Sequence, residues 1–168
     1  MSDSTRSKII EKLKTTLSRG RFLHSLRVEE TALRLGEKYR VNKKKVSLAA
    51  LLHDYAKRQP DPKLLHAKLG AKLAAKEFGI RSKEILDAIR HHTTGGEKMT
   101  KLEKIIYLAD HMEAGRDFPG VKKLRRLAFT DLDKAVCLSA TLTLEFLLRK
   151  NLPIALQTIK TRNSYLNK

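Results

Sequence analysis

An all-α, single-domain helical bundle is predicted by three features of the chain. Apolar residues recur at helical spacing in one segment after another. Nothing alternates at period two for long enough to make a strand. No linker and no internal repeat divides the 168 residues, a length that suits one domain with a sizeable core. That core has to be aliphatic, because Trp is absent and aromatics make up only 5%. A Leu-rich, Lys-rich composition with few Gly and Pro favours helix over sheet.

The elements follow in order. Within 21–40, His24, Val28, Ala32 and Leu35 fall on one helical face. Asn42 can cap a helix over 42–56 whose Val46, Ala49, Ala50 and His53 line one side. Segment 61–79 brings Leu65, His66, Leu69, Gly70 and Leu73 together and stops at Gly79. Ser82 can cap the next helix, whose inner stripe is Ile85, Ala88, Ile89 and His92. The run TTGGEK, 93–98, has to be a loop because of Gly95 and Gly96. Thr100 and Glu103 are spaced as a capping box for a helix through Met112, with Ile106, Tyr107 and Asp110 on one face. EAGRDFPG, 113–120, is a second loop, and a short helix follows near 121–129. Asp131 can cap a long helix to about 150, and Pro153 suits the start of a last helix to about 162.

Composition narrows the chemistry. Cys137 is the only cysteine, so no internal disulfide and no cysteine pair for zinc can form. It lies in an apolar helical run and reads as a small core residue. Any metal must be held by His and carboxylate. The first residues lack an uninterrupted apolar stretch and no run reaches membrane-spanning length, so a cytoplasmic protein with no membrane partner is expected. The formal charge of +18 attracts polyanions of any kind. The bases are spread along the chain, with small clusters at 42–45, 57–63 and 122–126 that ordinarily are solvated helix faces. Nucleic-acid contact is compatible with this charge but is not predicted.

Each helical stripe carries one residue that does not belong in an aliphatic core. His24, His53, His66, His92 and Asp110 sit on apolar faces, and Asp54 adjoins His53. One such histidine is most often a hydrogen-bonded core residue. Six polar groups on five helices are another matter, since each left unpaired costs on the order of 1–3 kcal/mol. A shared metal site resolves all six at once. Successive helical residues differ in direction by about 100°. His53 and Asp54 therefore cannot point alike, but they can straddle a pair of metals with the carboxylate between.

The order His…His-Asp…His…His…Asp on consecutive helices resembles the HD-domain phosphohydrolase superfamily. The segments RFLHSLRV, LAALLHDYAK, LLHAKLGAKLAAKEFGI, AIRHHTTGGEKMTKLEKIIYLAD and EAGRDFPGVKKLRRLA are similar to successive motifs of bacterial YqeK-type symmetrical bis(5′-nucleosyl)-tetraphosphatases. The likeness covers about residues 20–135, with the helices of about 131–162 packing on that core. It departs at His91 and His111, where an aromatic is common, at Gly96, often Arg, and at Ala114, often Pro.

The resemblance implies an all-helical HD fold holding two iron ions, with manganese or cobalt as substitutes. It implies His24, His53 and Asp110 on one metal, His66 and His92 on the other, and Asp54 as the bridge. His91 adjoins His92, and the stripe of Ile85, Ala88 and Ile89 favours His92 as the inward residue. Two divalent metals and two aspartates leave a positive site that draws polyphosphate. A hydroxide bridging the metals could then attack phosphorus and release a nucleoside diphosphate. Asp54 and Lys57 are the catalytic candidates. Lys57, Thr93, Thr94, Gly95 and Arg116 are the substrate-binding candidates, and Asp117 could orient Arg116. Cleavage of diadenosine tetraphosphate to two ADP comes from the resemblance alone. Another HD-type nucleotide phosphohydrolase or a basic RNA-binding protein remains an alternative, and so does a set of metal-free core histidines. A homodimer is compatible with the sequence but no motif specifies one.

Overall fold

The computed structural model describes residues 3–58 and 65–168. Nine α-helices and no strand are found among the described residues. They are α1 (Asp3–Thr16), α2 (Arg19–Lys38), α3 (Lys43–Leu52), α4 (Leu65–Phe78), α5 (Lys83–His91), α6 (Lys101–Met112), α7 (Val121–Ala128), α8 (Leu132–Arg149) and α9 (Leu156–Ser164). α2 packs on α3 and α6, α5 packs on α3, α4 and α6, and α8 packs on α6, α7 and α9. The all-α expectation holds, and so does the aliphatic core. Leu35, Leu51, Leu52, Ile89, Ile105, Ile106 and Leu108 are fully buried at its centre.

Local chemistry accounts for most boundaries. The Asn42 side chain accepts from the Lys45 N–H and starts α3. Thr100 and Glu103 form a complete capping box at α6. Asp131 accepts from the N–H groups of Asp133 and Lys134 at α8. Ser82 stands at the N-cap of α5 as expected, though its hydroxyl makes no cap bond.

Four elements differ from the sequence reading. α1 was not read from the sequence, yet Ile9, Leu13 and Leu17 bury into the core. The Arg6 guanidinium makes a two-pronged bond to the buried Glu29 carboxylate, at 2.8 and 2.7 Å. α3 ends at Leu52 rather than near 56, and a tight 3₁₀ turn over Tyr55–Arg58 follows it. In α4 the inner face is His66, Ala67, Gly70, Ala71 and Ala74, whereas Leu65 and Leu69 are exposed. Bulk, not hydrophobicity, made that choice. A Cβ on Gly70 would lie 3.3 Å from the His53 carbonyl oxygen, so α4 approaches α3 too closely for leucine. α9 begins at Leu156, leaving Pro153 in the connection before it. The predicted start of α4 at 61–64, and residues 59–63 of the basic cluster 57–63, lie outside the described residues.

The α6 cap also carries a charge. Burial alone would raise the Glu103 pKa, but His91 at 2.5 Å and the Thr100 hydroxyl and N–H hold it below its ordinary 4.5. The folded carboxylate is the stronger acid, so its stabilisation is complete above pH 4.5 and is lost as pH falls through the lowered value. Thr100→Ala should lower stability by about 1 kcal/mol, read from the urea midpoint. Glu103→Gln should flatten the acid limb of a stability–pH curve relative to the parent protein.

Candidate metal centre

Five helices each deliver a polar group to one point. α2 supplies His24 and α4 His66. The residues just past the ends of α3 and α5 supply His53 with Asp54 and His92. α6 supplies Asp110. His53 and His92 are wholly buried, and Asp54, His66 and Asp110 nearly so. All six residues singled out from the sequence are brought together.

Two of the histidines are aimed by the same device. His53 closes α3 and its Nδ1 lies 2.7 Å from the Ala50 carbonyl oxygen. His92 closes α5 and its Nδ1 lies 2.7 Å from the Ile89 carbonyl oxygen. Carbonyls in a final helical turn have no partner within the helix. A carbonyl can only accept, so each Nδ1 carries the ring proton and each Nε2 presents a lone pair. His24 is aimed by a carboxylate instead, with Nδ1 lying 3.2 Å from Glu113 Oε1.

The Nε2 atoms then face one another in pairs. His53 Nε2 and His24 Nε2 are 3.3 Å apart, and His66 Nε2 and His92 Nε2 are 3.2 Å apart. Asp110 Oδ1 lies 3.0 Å from His24 Nε2. Asp54 spans both groups. Its Oδ2 is 3.7 Å from His53 Nε2 and 4.0 Å from His24 Nε2. Its Oδ1 is 3.2 Å from His92 Nε2 and 3.9 Å from His66 Nε2. Asp54 Oδ1 is buried without a hydrogen-bond partner. The Thr93 hydroxyl lies 2.9 Å from His66 Nε2 and 3.0 Å from His92 Nε2, and its one proton cannot serve both.

Protonation follows from burial and charge. Burial pushes the His53 pKa down to about 4, so the ring is neutral at pH 7. Burial would raise the Asp54 pKa, but the surrounding His53 and His92 rings favour the ionised carboxylate whenever either takes up a proton, and they hold its carboxyl well below the usual range. Burial would likewise raise Asp110, and the hydrogen bond from His24 holds its carboxyl well below the usual range. His24 goes the other way: burial lowers it, but Asp110 and Glu113 outweigh burial and its pKa rises. A proton on His24 can bridge it to Asp110.

These residues fit a divalent metal. Two sets of donors, His24–His53–Asp110 and His53–Asp54–His92, each have their ligating atoms within 4.8 Å of one another. Convergent imidazole and carboxylate lone pairs with an orphaned buried oxygen are the donor chemistry of such a site.

The substrate candidates divide. Lys57 Nζ bonds Asp54 Oδ2 at 2.9 Å and is 28% exposed, at the edge of the cluster. Arg21 bonds the Lys57 carbonyl. Arg116 bonds the Asp110 carbonyl oxygen at 2.9 Å and Asp110 Oδ1 at 2.7 Å, rather than Asp117. Thr93 touches the histidines, whereas the Thr94 carbonyl accepts from the Thr161 hydroxyl. Gly95 turns the chain at φ +71°, and a Cβ there would lie 2.5 Å from Thr161 Cγ2. The structure thus gives Thr94 and Gly95 a role in docking the loop against α9. His91 points away to Glu103, and the His111 Nδ1 proton goes to the Tyr107 carbonyl at 2.7 Å.

One residue of the centre was missed. Glu113 is buried and accepts from Arg27 at 2.6 Å and from the Gly115 N–H at 2.5 Å, while holding His24. Its only sequence signal is a carboxylate one turn after Asp110, at the point where helix gives way to loop.

A family model described as "HD domain" matches residues 21–115. The chain is 40% identical to a Bacillus subtilis protein named bis(5′-nucleosyl)-tetraphosphatase, symmetrical, over 90% of this chain and 92% of that one. It is 41% identical to a protein of the same name from Halalkalibacterium halodurans, over 96% and 97%. Among solved structures, a predicted HD superfamily hydrolase from Clostridium acetobutylicum, described as involved in NAD metabolism, superposes with a TM-score of 0.89. That chain is 36% identical, with 95% of this chain and 96% of the other covered.

Because Glu113 aims His24, Glu113→Ala should weaken metal retention about 10–100-fold while leaving the fold intact. Metal content after dialysis, with the circular dichroism spectrum as control, checks this.

Proposed function

The chain belongs to the HD-domain family, and on that premise we propose that it is a metal-dependent hydrolase that cuts dinucleoside tetraphosphates symmetrically, diadenosine tetraphosphate to two ADP. The observation that carries the reading is Asp54, whose two oxygens face two separate histidine groups. Likeness over nine-tenths of the chain to proteins named for that activity supports the substrate class.

His24, His53 and Asp110 would hold one divalent ion and His66 and His92 a second, with Asp54 shared between them and iron as the metal. Bound there, such ions supply Lewis-acid charge to the phosphoanhydride and acidify water. The chain's own groups do the rest. His53 and His92, with their protons fixed on Nδ1, keep Nε2 directed inward. Asp54 holds Lys57 at the rim, where its ammonium can meet a phosphate oxygen entering from solvent. Arg116 fixes Asp110 and adds positive charge beside it. Thr93 adds a hydroxyl on the opposite histidine group. The departing nucleoside diphosphate is weakly basic and needs no general acid. Among the described residues no helix is long and apolar enough to cross a membrane, in keeping with a cytoplasmic enzyme acting on free nucleotides.

His53→Ala and Asp54→Ala should each abolish hydrolysis and lose at least one metal. Retained turnover in both would refute the assignment. Chromatography of the products decides the cleavage: two ADP support it, and ATP with AMP overturns it. Lys57→Ala should raise KM for the tetraphosphate about tenfold or more with metal content unchanged, consistent with one lost charge-assisted bond.

A further inference from the structure

Two cavities lie next to residues that touch the centre, one at Arg116 and one at Thr93, and their linings differ in chemistry. The first, of about 520 Å³, lies between the loop after α6 and the outer face of α8. Arg116 forms its inner edge, and Arg116 bonds Asp110. Phe118, Leu142 and Phe146 make its walls, with His111 and Thr143, and Asp117 and Arg149 also line it. Phe146 is 48% exposed, an aromatic ring on α8 that the core does not use. The second, of about 500 Å³, lies beside Thr93, which touches His66 and His92. It carries Lys68, His91 and Lys98, with Arg90 held by Asp87, and one acidic residue, Glu97. Both volumes fall in the range of about 300–1,000 Å³ usual for small-molecule sites.

We propose that the aromatic cavity seats one nucleoside base of the dinucleotide, while the cationic cavity holds the other end by its phosphates and ribose without reading its base. This inference rests on the tetraphosphatase reading. A purine presents two flat faces and little charge, which suits Phe118 and Phe146. The base must hang outward from phosphates held at the centre, and Arg116 stands at that junction. His111 has spent its ring proton on the Tyr107 carbonyl, so its other nitrogen is an acceptor suited to an exocyclic amino group. The opposite cavity gathers cations and lacks an aromatic wall, apart from the His91 imidazole already bonded to Glu103. A substrate that is symmetrical is thereby gripped asymmetrically.

The test is equilibrium binding of ADP and of inorganic pyrophosphate to the metal-loaded protein, by titration calorimetry. Phe146→Ala should weaken ADP about tenfold or more, the size of one lost base–aromatic stack, and leave pyrophosphate unchanged. Phe146→Tyr, which keeps the ring, should retain ADP affinity. The double variant Lys68→Ala, Lys98→Ala should weaken ADP and pyrophosphate together. Unchanged ADP binding in Phe146→Ala would overturn the base site, as would equal loss in Phe146→Tyr. Loss of ADP but not pyrophosphate in the lysine variant would overturn the division between cavities. Wild-type protein that makes no ADP from diadenosine tetraphosphate would sink the tetraphosphatase reading itself, a result separate from any of these.

Discussion

The bond from His53 Nδ1 to the carbonyl of Ala50 is the constraint on which the centre depends. It spends the ring's proton on the end of its own helix, where an acceptor is otherwise unsatisfied. The lone pair is then committed to the interior before any neighbour arrives. The chain tightens at once into the turn after α3, which swings Asp54 to the other side of His53 and spreads its two oxygens toward two histidine groups. α5 repeats the device with His92 and Ile89. The same short helical ending, used twice, sets two imidazoles edge to face with ring centres 4.9 Å apart.

Packing serves this geometry. α4 delivers His66 only because its inner face is Gly70, Ala71 and Ala74, small enough to lie against the turn after α3. α2 delivers His24 from a face whose next turns, Val28, Ala32 and Leu35, are fully buried. Glu113 and Arg27 steady that ring from behind. Aliphatic layers thus pack around the polar centre on several sides. Burying these groups costs desolvation free energy, which the contacts of Asp110 with His24 and Arg116 and of Asp54 with Lys57 offset. Imidazole lone pairs set against each other and against carboxylate oxygens are repulsive until a cation stands among them.

Much of this was legible in the chain because periodicity and chemistry disagreed at particular positions. A histidine at the inner register of α2, α3 and α5 has no place in an aliphatic stripe, and each proved to face the centre. The capping signals of Asn42, Thr100 and Asp131 are local and were read directly. The stripe of α4 was half right: His66 and Gly70 face inward and Leu73 packs partly on the core, but Leu65 and Leu69 are exposed and Ala67, Ala71 and Ala74 take their place. The short α3 was missed for want of a proline or glycine at its end; a side chain from within the turn closed it. Glu113 could not be told from any other loop carboxylate, since its partners lie on α2, 86 and 89 residues away in the chain.

By itself, then, the sequence determined the helical class, the aliphatic core and the identity of the six groups that had to be satisfied together, for these rest on spacing and on the cost of burying polar atoms. Tertiary structure alone decided which oxygen of Asp54 faces which histidines, what holds His24, and that two unlike cavities flank the centre. Those are distances between elements far apart in the chain. They are set by how closely helices approach, and that depends on small residues and backbone turns whose local signal is weak.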